Sequence, residues 1–153
     1  MKIYAVIDTN VIVSALLSRH HDSATVKVIN YLYDRVIVPV YNNEIIEEYV
    51  AVLKRPKFNF SEETISAVID AIREGGIDSR RIGSNEQFPD PKDIVFYEVA
   101  LANEDSFLVT GNIKHFPKKP FVVTPAEMLQ IIQEMDSPNH GFLSEPSMCY
   151  GRK

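Results

Sequence analysis

A single cysteine, Cys149, stands among the 153 residues. That excludes an internal disulfide framework and any zinc site built on thiolates. Long apolar runs are also missing. The first apolar stretch, residues 3–7, meets Asp8 at once, too soon for the apolar region of a signal peptide. The uncharged run over residues 9–18 falls far short of the roughly 20 residues needed to span a bilayer. Positive charge is the scarcer sign: 16 Lys and Arg against 21 Asp and Glu leave a formal net charge of −5. A surface that attracts nucleic acid everywhere is excluded, so a polyanion could be met only by local basic patches or bound cations. These absences lead us to expect a soluble, cytoplasmic protein with no membrane association.

What is present is ordinary for a globular domain, with 45% apolar and 24% charged residues. A chain of this length buries about 70% of its unfolded surface, enough for a core of its own. We expect one folded unit over residues 1–136. Residues 137–153 carry Ser, Pro and Gly without periodicity and are read as a C-terminal tail.

Strand and helix patterns alternate along the chain. Residues 3–7, 36–40, 107–110 and 121–123 are short runs apolar on both faces, as strands buried inside a parallel sheet require. Pro39 limits pairing at the end of the second. Helical spacing covers 11–18, 23–33, 43–53, 61–75, 90–103 and 125–135. Asn42 or Asn43, Ser61 and Thr124 are placed to cap, and Thr124-Pro125-Ala126-Glu127 reads as a capping box. Residues 77–92 are read as an edge strand and a polar loop. The alternation predicts a three-layer α/β fold, a mainly parallel central sheet flanked by helices.

In such sheets ligands bind beyond the carboxyl ends of the strands. Asp8-Thr9-Asn10 follows the first strand, and the helix after the second carries Glu44, Glu47 and Glu48. Asp93, preceded by Asp90, stands in the first turn of the helix before the third strand, which Thr110-Gly111-Asn112 follows. Carboxylates brought together there would raise one another's pKa, and a divalent cation would relieve them. Oxygen ligands without a Cys or His cluster call for a hard ion, Mg²⁺ or Mn²⁺. Blander roles exist: Asp8 fits as a helix cap, and Asp93 as the partner in a capping box opened by Asp90. Yet Asp93 heads a stripe of Phe96, Tyr97 and Ala100, and a carboxylate there needs a partner. Periodicity favours Glu47 or Glu48 over Glu44 without choosing between those two.

Four segments in order, IDTNVIVSALLS (7–18), EIIEEYVAVLKRPKF (44–58), DPKDIVFYEVALA (90–102) and FLVTGNIKHFP (107–117), resemble the landmarks of the PIN domain family. They look most like its VapC-like branch, the toxins of bacterial toxin–antitoxin pairs. The resemblance implies a Rossmann-like fold and a Mg²⁺- or Mn²⁺-dependent endoribonuclease acting on RNA, with a cognate antitoxin protein and a homodimeric state. By position it implies Asp8, Glu48 and Asp93 as metal ligands, and it settles on Glu48 before the Tyr of the EY-x-x-VL pattern. Asn10 and Thr110 match polar residues that line the family's site, with Glu44 and Asp90 as further neighbours. Asn112 stands where many relatives have a fourth aspartate; we expect it to position water or phosphate.

Lys54, Arg55 and Lys57, and Lys114, Lys118 and Lys119, follow two of the site segments and are expected to meet RNA phosphates. His115 is expected at the surface without a catalytic role. The alternative is a catalytically silent module that binds RNA or protein. A phosphotransfer domain would want a second aspartate two residues after Asp8, where Asn10 stands.

Overall fold

The structure, a computed structural model, describes residues 2–136; the tail expected over 137–153 lies outside them. Among the described residues five strands alternate with six α-helices. They are β1 (Ile3–Ile7), α1 (Thr9–Leu17), α2 (Ala24–Tyr33), β2 (Ile37–Tyr41), α3 (Asn43–Leu53), α4 (Glu62–Gly75), β3 (Ile77–Asp78), α5 (Ile94–Ala102), β4 (Phe107–Val109), β5 (Val122–Val123) and α6 (Pro125–Met135). The strands form one parallel sheet in the order β3-β2-β1-β4-β5. Helices flank the sheet, giving the three-layer α/β fold that the alternation predicts. No helix among the described residues is long and apolar enough to cross a membrane.

Local chemistry accounts for the element boundaries. β2 and β4 are buried throughout and β1 at all but Tyr4, so helices can cover both faces. Ser23, Asn42 and Ser61 each accept a backbone N–H three residues on. Thr124 and Glu127 form the reciprocal capping box, at 2.9 and 3.1 Å. Pro39 limits the sheet on one side only. On the β3 side the Tyr41 carbonyl accepts the Ser79 N–H at 2.7 Å. Pro39 lies two residues earlier on that edge and has no N–H to give, and β2–β3 pairing begins at Val40.

The turn into β3 depends on Gly76. A Cβ there would lie 2.3 Å from the Pro39 carbonyl oxygen and 2.5 Å from that of Ile72, both backbone atoms that cannot swing aside. Gly76→Ala is expected to cost about 3 kcal/mol. Gly75→Ala, whose Cβ meets only the flexible Arg35 side chain, should cost far less. Urea unfolding of the two variants checks this, and equal stabilities would refute the close approach.

The path along the sheet reverses between β1 and β4. β1, β2 and β3 step one way, then the chain returns to place β4 on the other side of β1. Loops leaving the carboxyl ends of β1 and β4 therefore diverge and leave a crevice. Asp8 stands at one end and Thr110 at the other.

Candidate active site

Asp8 occupies the N-cap position of α1 with extended backbone, yet its side chain makes no cap hydrogen bond. It turns toward β4 instead. Asp8 Oδ2 accepts the Thr110 hydroxyl proton at 2.7 Å and an Asn10 Nδ2–H at 3.2 Å. Thr110 Oγ1 accepts the Asn112 N–H at 3.0 Å, and Asn10 Oδ1 accepts the Gly111 N–H at 3.0 Å. The missing side chain of Gly111 makes that approach roomy, since a Cβ would lie 3.3 Å from the same oxygen. From α3, buried Tyr49 donates its hydroxyl proton to the Ile7 carbonyl. The Asp8 carboxylate is thus held by Thr110 after β4 and Asn10 of α1, and Tyr49 of α3 ties down the end of β1 beside it.

Asp93 repeats the pattern. It ends the short 3-10 turn Pro91–Asp93 and stands at the N-cap of α5, again without a side-chain cap bond. The local capping is done by Asp90, whose Oδ1 accepts the Lys92 N–H at 3.0 Å. Asp93 Oδ2 is buried and makes no hydrogen bond, although His115 Nδ1 lies 3.4 Å away.

Electrostatics joins the two acids. Burial pushes the Asp8 carboxyl up; the Thr110 hydroxyl draws it back, the Asp93 charge raises it further, and the result is about 6 against an ordinary 3.8. Asp93 is raised too, first by burial and then by the charge of Asp90, with Glu48 adding to the rise and His115 opposing it. Both acids are poorly compensated by protein groups alone.

Asp8 and Asp93 open into a cleft of about 700 Å³, whose walls also include Asn10, Glu48, Asp90, Asn112 and His115. Of the three glutamates on α3, Glu48 lines it. Glu47 is exposed outside it, and Glu44 pairs with Arg81 Nη1 at 2.7 Å. Thr110 is fully buried behind Asp8 rather than on the wall. Of the basic residues, Arg55 lines the cleft. Lys57 lies over the Phe58 ring, 5.1 Å from its centroid, and Lys119 Nζ is 3.8 Å from Glu86. Lys54, Lys114 and Lys118 are exposed and do not line it.

Several cleft residues escaped sequence reasoning. His115, expected at the surface, is about half exposed and faces Asp93; nothing in the sequence links the two. Val13, Ser14, Leu17 and Ser18 follow Asn10 at i+3, i+4, i+7 and i+8, one face of α1. That spacing was the signal available for them. Phe58 follows α3 in the 3-10 turn Pro56–Phe58 and carries no periodic signal.

Among the described residues no three His, Cys, Asp or Glu side chains stand close enough to form a ready-made metal cage. The donors still suit a hard, hydrated ion. Mg²⁺ keeps several waters and takes one or two carboxylates together with substrate phosphate. Buried Thr9 Oγ1 has no hydrogen-bond partner among the described residues, while Asp93 Oδ2 has only the His115 ring 3.4 Å away. Both residues line this cleft, so it holds polar groups left for something else to complete.

Residues 4–114 match the model of a protein family, described as the PIN domain. No curated protein and no solved structure matches the chain. The matched span includes Asp8, Glu48, Asp93, Thr110 and Asn112.

Proposed function

This chain belongs to the PIN domain family, whose fold is of nuclease type, and from that premise we propose that it is a metal-dependent endoribonuclease hydrolysing RNA phosphodiester bonds. One observation carries the reading. Two aspartates stand where helix caps are expected, neither caps, and both turn into the same cleft at the crevice of the sheet. A structural role would have used them locally.

Asp8, Glu48 and Asp93 would hold Mg²⁺ or Mn²⁺, with the Asn112 carboxamide oxygen as a neutral neighbour. When bound, such an ion supplies Lewis-acid polarisation of the phosphodiester and a more acidic water. The chain's own residues supply position. Thr110 and Asn10 fix which way the Asp8 carboxylate points. His115, when protonated, offsets part of the Asp93 charge, and Arg55 presents a cation to substrate phosphate. The amino-terminal ends of α1 and α5 lie at the same cleft, and their dipoles favour an anion there.

The motif resemblance supports a toxin role, with an antitoxin that presents a basic side chain to the acidic cleft and with a homodimeric state. A silent module is the second reading, favoured by Asn112 in place of an acid and by the absence of a ready-made cage among the described residues.

Asp93→Asn and Glu48→Gln should each fold, weaken Mn²⁺ binding in titration calorimetry, and lower cleavage of a labelled single-stranded oligoribonucleotide about 10³-fold. Cleavage retained in both variants refutes the site. Wild-type protein that binds RNA and Mn²⁺ without cleaving establishes the silent module.

A further inference from the structure

The cleft has two ends of different chemistry. Beyond the acids, its wall is formed by Val13 and Leu17 of α1, Val52 of α3 and Phe58, with Arg55 beside them. The whole space of about 700 Å³ lies within the ~300–1,000 Å³ of sites that hold organic ligands, more than an ion and a phosphate fill. Leu17 is 51% exposed, a large apolar side chain left open beside charged groups. We propose that this end is a nucleobase subsite, in which Phe58 stacks an unpaired base of the RNA whose phosphodiester lies at the acidic end. The inference rests on the nuclease reading and adds what the enzyme recognises.

Geometry supports a base as the occupant. Glu48 and Val52 fall at i and i+4 on one face of α3, about 6 Å apart along its axis, and Arg55 follows just past the helix end at Leu53, leading into the 3-10 turn. The helix face thus passes from an acid to an apolar step, and the segment after the helix adds a cation to the same wall. The 3-10 turn then brings Phe58 across that end. Phe60 stacks against its ring at 5.5 Å between centroids and 16° between planes, and the exposed Lys57 side chain, whose Nζ lies 5.1 Å from the ring centroid, is the group an incoming base displaces. Asn59 between them adopts the left-handed conformation, φ 55°, which asparagine tolerates and which sets the two rings side by side. An aromatic platform with a neighbouring cation is how proteins hold single strands, stacking bases and meeting phosphates. A duplex buries the faces of its bases and could not use it.

The chain contains no tryptophan, so Phe58→Trp introduces a lone indole at the subsite, excited selectively over the seven tyrosines. The metal-free variant is titrated with an eight-residue oligouridylate and with an abasic oligomer of equal length and charge. We expect the first to quench the tryptophan and to bind about 10-fold tighter than the second. Phe58→Ala should lose that preference and raise KM for single-stranded RNA about 10-fold with kcat little changed, while Phe58→Tyr should restore wild-type affinity. Wild-type protein that cleaves RNA but binds both oligomers equally overturns the subsite and leaves the nuclease reading standing. Failure of the wild type to bind or cleave RNA overturns both. Emission that shifts with protein concentration alone, together with dimer formation in sedimentation, assigns the apolar end to a second copy and also overturns the subsite.

Discussion

Asp8→Asn is expected to raise the melting temperature of the metal-free protein at pH 8 by about 8 °C while abolishing Mn²⁺-dependent RNA cleavage. Both effects have one origin. In the unfolded chain the carboxyl titrates near 3.8, and in the folded protein near 6. Below the first value both states are protonated. Between the two, the unfolded chain has released its proton and the folded protein still holds it, so stability falls as pH rises. Above 6 the full cost is present, about 3 kcal/mol for a rise of this size. Asparagine carries no charge there and still accepts the Thr110 hydroxyl proton. In EDTA, the stability difference between variant and wild type should therefore open between pH 4 and 6 and level off above. Added Mn²⁺ should raise the melting temperature of the wild type and leave the variant unmoved. A variant less stable than wild type at pH 8 would show that some protein group already compensates Asp8.

Arg81→Ala should cost about 3 kcal/mol by orphaning a carboxylate. The side chain of Glu98 is only 10% exposed. Its Oε1 accepts from Arg81 Nε at 2.8 Å and Nη2 at 2.5 Å, and its Oε2 accepts the Ser84 N–H at 2.8 Å. Removing the guanidinium leaves a buried charge with one amide partner. Glu44→Ala removes the other carboxylate on Arg81, but that side chain is 57% exposed, so about 0.5 kcal/mol or less is expected. Urea unfolding distinguishes the two. An Arg81→Ala variant as stable as Glu44→Ala would mean that the Glu98 pair contributes nothing of its own.

The same pair shows where sequence reading stopped. Residues 77–92 read as an edge strand and polar loop, and only Ile77–Asp78 forms a strand. The remainder is tied down. Arg81 and Ser84 hold Glu98, while Phe88 meets Tyr97 and Phe116 edge-on at 5.3 and 6.0 Å. With that cover, α5 is buried at every position from Val95 to Ala100 rather than along one stripe. Polar residues in a loop are indistinguishable from solvated ones until their partner, on an element far along the chain, is known.

The chain's own letters settled what depends on neighbours in sequence. Two-sided apolar runs made buried parallel strands, Asn42, Ser61 and Thr124 began helices, and acids stood at the ends of elements, because alternation and capping act over a few residues. Tertiary structure decided the rest: that His115 faces Asp93, and that Asp8 and Asp93 forgo capping to share one crevice. These outcomes require β4 to lie beside β1 across about a hundred residues of chain, and no local pattern contains that pairing.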